Sequence, residues 1–139
     1  MGTQYINTVE TAKIIRKILK ESFPGIKFSV TSNSGDTSIL VKWEDGPTQN
    51  QVNAIVRWFE CAITERYIFG PDLVMIYRSY SKNFWDQVAG RTGKKPKDIM
   101  VSDDLVKLVI KELETISLCH PQHSKTYAEY RPTFYAKAA

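Results

Sequence analysis

Apolar residues recur at helical spacing near the start of the chain. Asn7 and Glu10 form a capping box ahead of this run. Ala12, Ile15, Ile18, Leu19 and Ser22 then fall on one side of a helix, and Lys13, Arg16, Lys17 and Lys20 on the other. Pro24-Gly25 ends it. The period then changes to two. Ile26, Phe28 and Val30 alternate with polar neighbours, Asn33-Ser34-Gly35-Asp36 reads as a turn, and Ile39, Val41 and Trp43 resume the alternation, which predicts a hairpin.

Asp45-Gly46-Pro47 breaks the second strand, and Thr48 with Gln51 caps another helix. Val52, Ile55, Val56, Phe59 and Ile63 form its apolar stripe. Its far side carries Asn50, Ala54, Arg57, Trp58 and Cys61, a second contact surface that the carboxy-terminal half is expected to cover. After Gly70-Pro71, Leu73 to Tyr80 reads as a third strand, and its consecutive apolar residues predict a central position covered on both faces. Ser81 caps a short helix carrying Phe84, Trp85 and Val88, and Arg91 to Lys97 follows as a Gly-Lys-Pro loop. Ser102 caps a last helix with Leu105, Leu108, Val109, Leu113 and Ile116 inward, and from Cys119 onward the pattern dissolves. The expected fold is α+β in the order α-β-β-α-β-α-α, with helices on a small, mainly antiparallel three-stranded sheet. One domain spans residues 1–139: a core over 5–81, a helical extension over 82–118 and an aromatic, basic tail over 119–139.

Composition narrows this outline. A chain of 139 residues, 42% hydrophobic and 24% charged, suits one folded domain, since a chain of this size buries roughly two-thirds of its unfolded surface. No apolar run approaches the ~20 residues of a membrane span, and Met1 to Ile6 lacks the features of a signal peptide, so the expected compartment is the cytoplasm. The cysteines, Cys61 and Cys119, are then expected to be free thiols. The net charge of +4 favours polyanions or acidic protein surfaces as partners.

Two basic clusters stand out. Lys13, Arg16, Lys17 and Lys20 line one helix face, where cations at this density neutralise phosphates. Lys82, Arg91, Lys94, Lys95 and Lys97 form the second, with Trp85 or Tyr80 beside it for base stacking. Their relative placement is not encoded locally. The tail offers Tyr127, Tyr130, Arg131, Phe134 and Tyr135, aromatics and an arginine of the kind favoured at protein interfaces, and these are expected to dock on Trp58 or on a partner. Cys119-His120-Pro121-Gln122-His123 has zinc-ligand chemistry but lacks the paired spacing of structural sites, and Cys119 beside His120 does not make a reactive pair by adjacency alone. Glu112, on the shoulder of the last helix, is expected to reach water or an arginine. No phosphate loop, nucleophile elbow or paired-carboxylate motif is present, so neither an enzymatic role nor a cofactor is expected.

Several separated words agree in order with one family. They are Thr11-Ala12-Lys13, Arg16-Lys17, Leu19-Lys20 and Phe23-Pro24, then Lys27-Phe28-Ser29-Val30, Val41-Lys42-Trp43, Asp45-Gly46-Pro47-Thr48 and Gln51-Val52. Through them the chain resembles the large polyvalent protein-associated domains, specifically the twenty-ninth of that series. The resemblance covers roughly residues 5 to 63, with a continuation into Tyr77 to Ser81 left open. It implies a setting in phages, plasmids or integrated elements and no catalytic set. The expectation is a non-enzymatic binding module of a mobile element that contacts DNA or RNA through Lys13, Arg16, Lys17, Lys20, Arg91, Lys94, Lys95 and Lys97. The alternative is a protein-binding inhibitor of host defence, of anti-CRISPR or anti-restriction type, acting through Trp58 and the tail aromatics. A third is an enzyme or zinc protein built on Cys119, His120 and His123. A second copy of the chain is a further partner to consider; a membrane is not.

Overall fold

The alternation of strand residues sorts the molecule into a covered and an open sheet face. The structure is a computed structural model describing residues 2–32, 37–116 and 120–131. Helix α1, Thr8–Ser22, begins where Asn7 Oδ1 accepts the Glu10 N–H at 2.8 Å, and it buries Ala12, Ile15, Ile18, Leu19 and Ser22 as the spacing predicts. Strands β2 (Phe28–Ser32) and β3 (Ser38–Glu44) pair antiparallel, with Phe28 opposite Trp43 and Val30 opposite Val41. The turn expected at 33–36 lies outside the described residues.

At the end of β3 the chain reverses through two left-handed residues, Asp45 (φ 54°) and Gly46 (φ 73°). Glycine suits the second because its φ lies in the left-handed region, and a Cβ there would also press on the end of the Ile26 side chain, 2.9 Å from Cδ1. Helix α2, Gln49–Val56, starts on the complete Thr48–Gln51 capping box. It tightens into a single 3-10 turn over Arg57–Phe59 and stops, so Phe59 is buried but Ile63 is 74% exposed, outside the stripe expected for it. The break has a local cause: Cys61 is left-handed (φ 50°) and its N–H donates to Pro71 O at 2.8 Å.

Two short strands were not foreseen. Strands β1 (Gln4–Ile6) and β4 (Tyr67–Phe69) form a parallel two-stranded sheet, each too short to display a period. Strand β5, Leu73–Ser79, pairs in parallel with β3, giving the order β2-β3-β5. The sheet is therefore mixed, and β3 is its centre. The central position expected for the third strand is corrected: β5 is an edge. Val74, Ile76 and Arg78 turn inward, while Leu73, Met75 and Tyr77 face solvent at 43%, 42% and 58% exposure. Its apolar run arises because both of its faces carry apolar residues, although helices pack on only one. Opposite the helices, Ser29, Thr31 and Lys42 are exposed alongside Met75 and Tyr77.

Helix α3, Lys82–Thr92, is capped by Ser81 and closed by left-handed Gly93, so Arg91 belongs to the helix and not to the following loop. Helix α4, Asp104–Ile116, is capped by Asp103, whose Oδ1 accepts the N–H groups of Leu105 and Val106, and not by Ser102. Val106, Val109 and Leu113 turn inward against Phe84 and Val88 to form a second, smaller core. Leu105 and Leu108, expected inward, are 46% and 55% exposed. Apolar residues at 105, 106, 108, 109 and 110 surround this helix, and the period alone does not choose among its faces. None of the described helices is long and apolar enough to cross a membrane.

A last helix, α5 (Lys125–Tyr130), lies where no pattern was visible, and it packs on α1. Glu21 joins them: its carboxylate accepts Ser124 Oγ–H at 2.8 Å, the Thr126 N–H at 3.1 Å and Thr126 Oγ1–H at 2.8 Å. Burial pushes the Glu21 carboxyl up, but the Thr126 N–H, the two hydroxyls and the Lys17 charge outweigh it and hold it below the usual carboxylate range. A depressed carboxyl stabilises the docked helix above its ordinary pKa, and that contribution is lost as pH falls through the depressed value. Amide exchange over Lys125–Tyr130 is therefore expected to speed up in acid relative to β3, and Glu21→Gln to produce the same loosening at neutral pH. Equal protection in the variant would show that the latch does not hold α5.

Candidate functional site

Arg78 is directly opposite Trp43 in the β3–β5 ladder, with its side chain only 2% exposed. A buried guanidinium must find partners for its donors. Nη2 donates to Gly46 O at 3.1 Å and Nε to Asp45 O at 3.4 Å, clasping the left-handed turn. Nη1 donates to Glu114 Oε1 on α4 at 2.8 Å and to Tyr80 Oη at 3.2 Å. Tyr80 in turn donates to Glu114 Oε1 at 2.6 Å. Burial first, and then the hydrogen bond and charge of Glu114, push the Tyr80 phenol up to about 12 against the opposing pull of Arg78. The cluster is internally neutral: one cation, one anion and a phenol that keeps its proton.

These groups line a groove of about 520 Å³ between β5, α3 and α4. Tyr77 and Trp85 also line it, with Trp85 set edge-on to Tyr80 at 5.4 Å and to Phe84 at 5.9 Å. Lys107 and Lys111, one helical turn apart on α4, supply its free positive charge, and both are exposed. Tyr77 and Ser79 are shared with a neighbouring hollow of about 440 Å³ on the open sheet face, where Lys27 and Lys42 reside. Lys42 sits directly across from Tyr77 in the ladder.

The cations singled out by sequence are largely engaged elsewhere. On α1, Lys13 pairs with Glu10 at 3.3 Å, Arg16 Nη2 donates to the β2 carbonyl of Val30 at 2.6 Å, and Lys17 acts on Glu21, leaving Lys20 exposed. In the second cluster Lys82 pairs with Asp86 at 3.3 Å, Arg91 with Glu112 at 3.8 Å and Lys94 with Asp103, while Lys95 and Lys97 are exposed. The first cluster rides on the larger core and the second on the smaller. Glu112 takes the arginine partner expected of it.

Among the described residues assigned to a partner, Tyr127, Tyr130 and Arg131 lie against Trp58, Phe59 and Tyr67. Arg131 sits 5.3 Å above the Trp58 ring and donates to Tyr127 Oη, Tyr127 is 6.3 Å from Phe59, and Tyr130 is 5.0 Å from Tyr67. The expected cover reaches Trp58, which is half-buried, while Asn50, Ala54, Arg57 and Cys61 of the same surface stay exposed. Phe134 and Tyr135 lie outside the described residues, as does Cys119; His120, His123 and Cys61 are exposed. Sequence reasoning missed Tyr77, hidden in a strand read as covered, and the pair Lys107–Lys111, whose four-residue spacing was the available signal.

Two consequences can be measured. Arg78→Met leaves Glu114 and the turn carbonyls without their donor and is expected to cost about 3 kcal/mol, toward the lower end for breaking a buried pair because Glu114 is 23% exposed. A thermal midpoint unchanged from the parent would contradict this. The raised Tyr80 phenol stabilises the fold fully below its ordinary value of 10.0, and that contribution is lost as pH rises from there through about 12. Phenolate absorbance is expected to show a tyrosine titrating at about 12 that is absent in Tyr80→Phe, distinct from Tyr130, which burial also raises.

Neither the curated proteins nor the solved structures searched contain a match to this chain. The sequence model of one family, large polyvalent protein associated domain 29, matches residues 6–97, from the end of β1 through α3 and beyond the stretch that its quoted words cover. That match takes in most of the chain, and the protein belongs to the large polyvalent protein associated domain 29 family.

Proposed function

We propose that the protein is a non-enzymatic, nucleic-acid-binding module of a phage or other mobile element. The observation that carries this reading is the groove between β5 and α4, where Tyr77 and Trp85 share one concavity with Lys107 and Lys111, continued by Lys27 and Lys42 on the open sheet. Phosphates supply the counter-charge for such lysines, and bases the flat partners for such rings. The charge clusters on α1 and α3 are poorer candidates, because most of their cations are held by neighbouring carboxylates or carbonyls.

A protein partner, such as a host defence component, is the second reading. It is favoured by Leu73, Met75, Leu105 and Leu108, large apolar side chains left exposed on β5 and α4.

Binding of a labelled oligonucleotide followed across salt concentrations tests the first. Four lysine–phosphate contacts give a log–log slope of about −3 for a single strand, or about a fiftyfold loss between roughly 50 and 200 mM salt. Lys107→Ala with Lys111→Ala is expected to flatten that slope by about 1.4. Absence of binding at low salt would end the reading in favour of a protein partner.

A further inference from the structure

Lysines and rings make different demands on a nucleic acid. Lysines meet phosphates on any strand, whereas a ring needs an exposed base face, and a duplex hides those faces in its stack. Building on the nucleic-acid reading above, we infer that the β5–α4 groove takes a single-stranded segment, seating an unstacked base against Tyr77 and Trp85 while neighbouring phosphates meet Lys107 and Lys111.

The geometry suits this occupant in four respects. Trp85 is held before any ligand arrives by its edge-on contacts with Tyr80 and Phe84, so little side-chain freedom is lost on stacking. Tyr77 projects from a strand whose register is set along its whole length by β3, and it keeps 58% of its surface open. Lys107 and Lys111 are one turn apart, with Cβ atoms about 5–6 Å from each other, a spacing that lets both reach along one backbone. The carboxylate in the groove, Glu114, is already answered by Arg78 at 2.8 Å, and Tyr80 stays uncharged at neutral pH, so nothing beneath the lysines repels a phosphodiester. The volume of about 520 Å³ falls within the range of small-ligand sites and is enough for a nucleotide. Past Tyr77 the strand meets the neighbouring hollow, where Lys27 and Lys42 outnumber the one carboxylate of its lining, Glu44.

The test compares the full chain with three ligands of one mixed sequence: single-stranded DNA, single-stranded RNA and the DNA duplex. A fourth is a single strand made abasic at its centre. Fluorescence anisotropy is expected to show either single strand binding at least tenfold tighter than the duplex, and preference for DNA or RNA then assigns the natural source. Tyr77→Ala, on an exposed position that leaves the fold intact, is expected to weaken single-strand binding by roughly five- to a hundredfold and duplex binding little. The abasic strand should lose affinity for the parent protein in the same way. Stacking on Trp85 should quench tryptophan emission when a single strand is added, and Trp85→Phe should remove most of that quench. Two results overturn the inference while sparing the nucleic-acid reading. One is equal affinity for duplex and single strand with Tyr77→Ala silent. The other is single-strand binding that survives Tyr77→Ala and Lys107→Ala but falls with Lys20→Ala or Lys97→Ala. No binding of any ligand at low salt overturns both.

Discussion

A guanidinium taken out of water organises this fold. With its side chain 2% exposed, Arg78 cannot remain a cation in the interior unless each donor is answered, and three of its acceptors come from two segments far from it along the chain. Two are carbonyls of the Asp45-Gly46 turn, whose left-handed backbone presents them to it. The third is Glu114, thirty-six residues onward on α4. The demand of one buried charge therefore ties the β3–α2 turn, the end of β5 and the last long helix together, and with them the two hydrophobic cores. Tyr80 completes the arrangement by donating to the same carboxylate oxygen, which keeps its proton on the phenol.

This clasp also decides which surface is chemically available. Glu114 is neutralised by Arg78, so the lysines of α4 stand over a floor without net charge. Elsewhere the molecule spends its cations on itself: Arg16 answers a carbonyl of the edge strand β2, Lys94 and Arg91 tie α3 and its following loop to α4, and Lys17 supports the Glu21 latch on α5. Charge that looks available along the chain is thus part of how the helices are held. What is left over includes Lys27 and Lys42 on the open sheet face and Lys107 and Lys111 on the outer side of α4, besides the exposed Lys20, Lys95 and Lys97.

The groove crosses the limit of the family match. Tyr77, Tyr80 and Trp85 fall within residues 6–97, whereas Lys107, Lys111 and Glu114 come from α4 beyond it. Likewise α5 closes over Trp58, Phe59 and Tyr67, residues inside the matched segment. The later helices cover apolar surfaces of the family domain and in doing so add the cationic half of the groove, so the groove belongs to the whole chain.

Much of the local structure was legible in the residues themselves. The buried and polar sides of α1, the β2–β3 hairpin, the Thr48–Gln51 box and the Ser81 cap are each written within a few residues, because a helix or strand period and a cap are short-range physical requirements. The family, too, was readable from words of that length. Which face of β5 is covered, which side of α4 turns inward, where α5 docks and which lysines remain unpaired were decided only in three dimensions. A period says which residues share a face, but not whether anything packs on it, and Arg78 finds Glu114, as Arg91 finds Glu112, only across a distance in sequence that no local pattern spans.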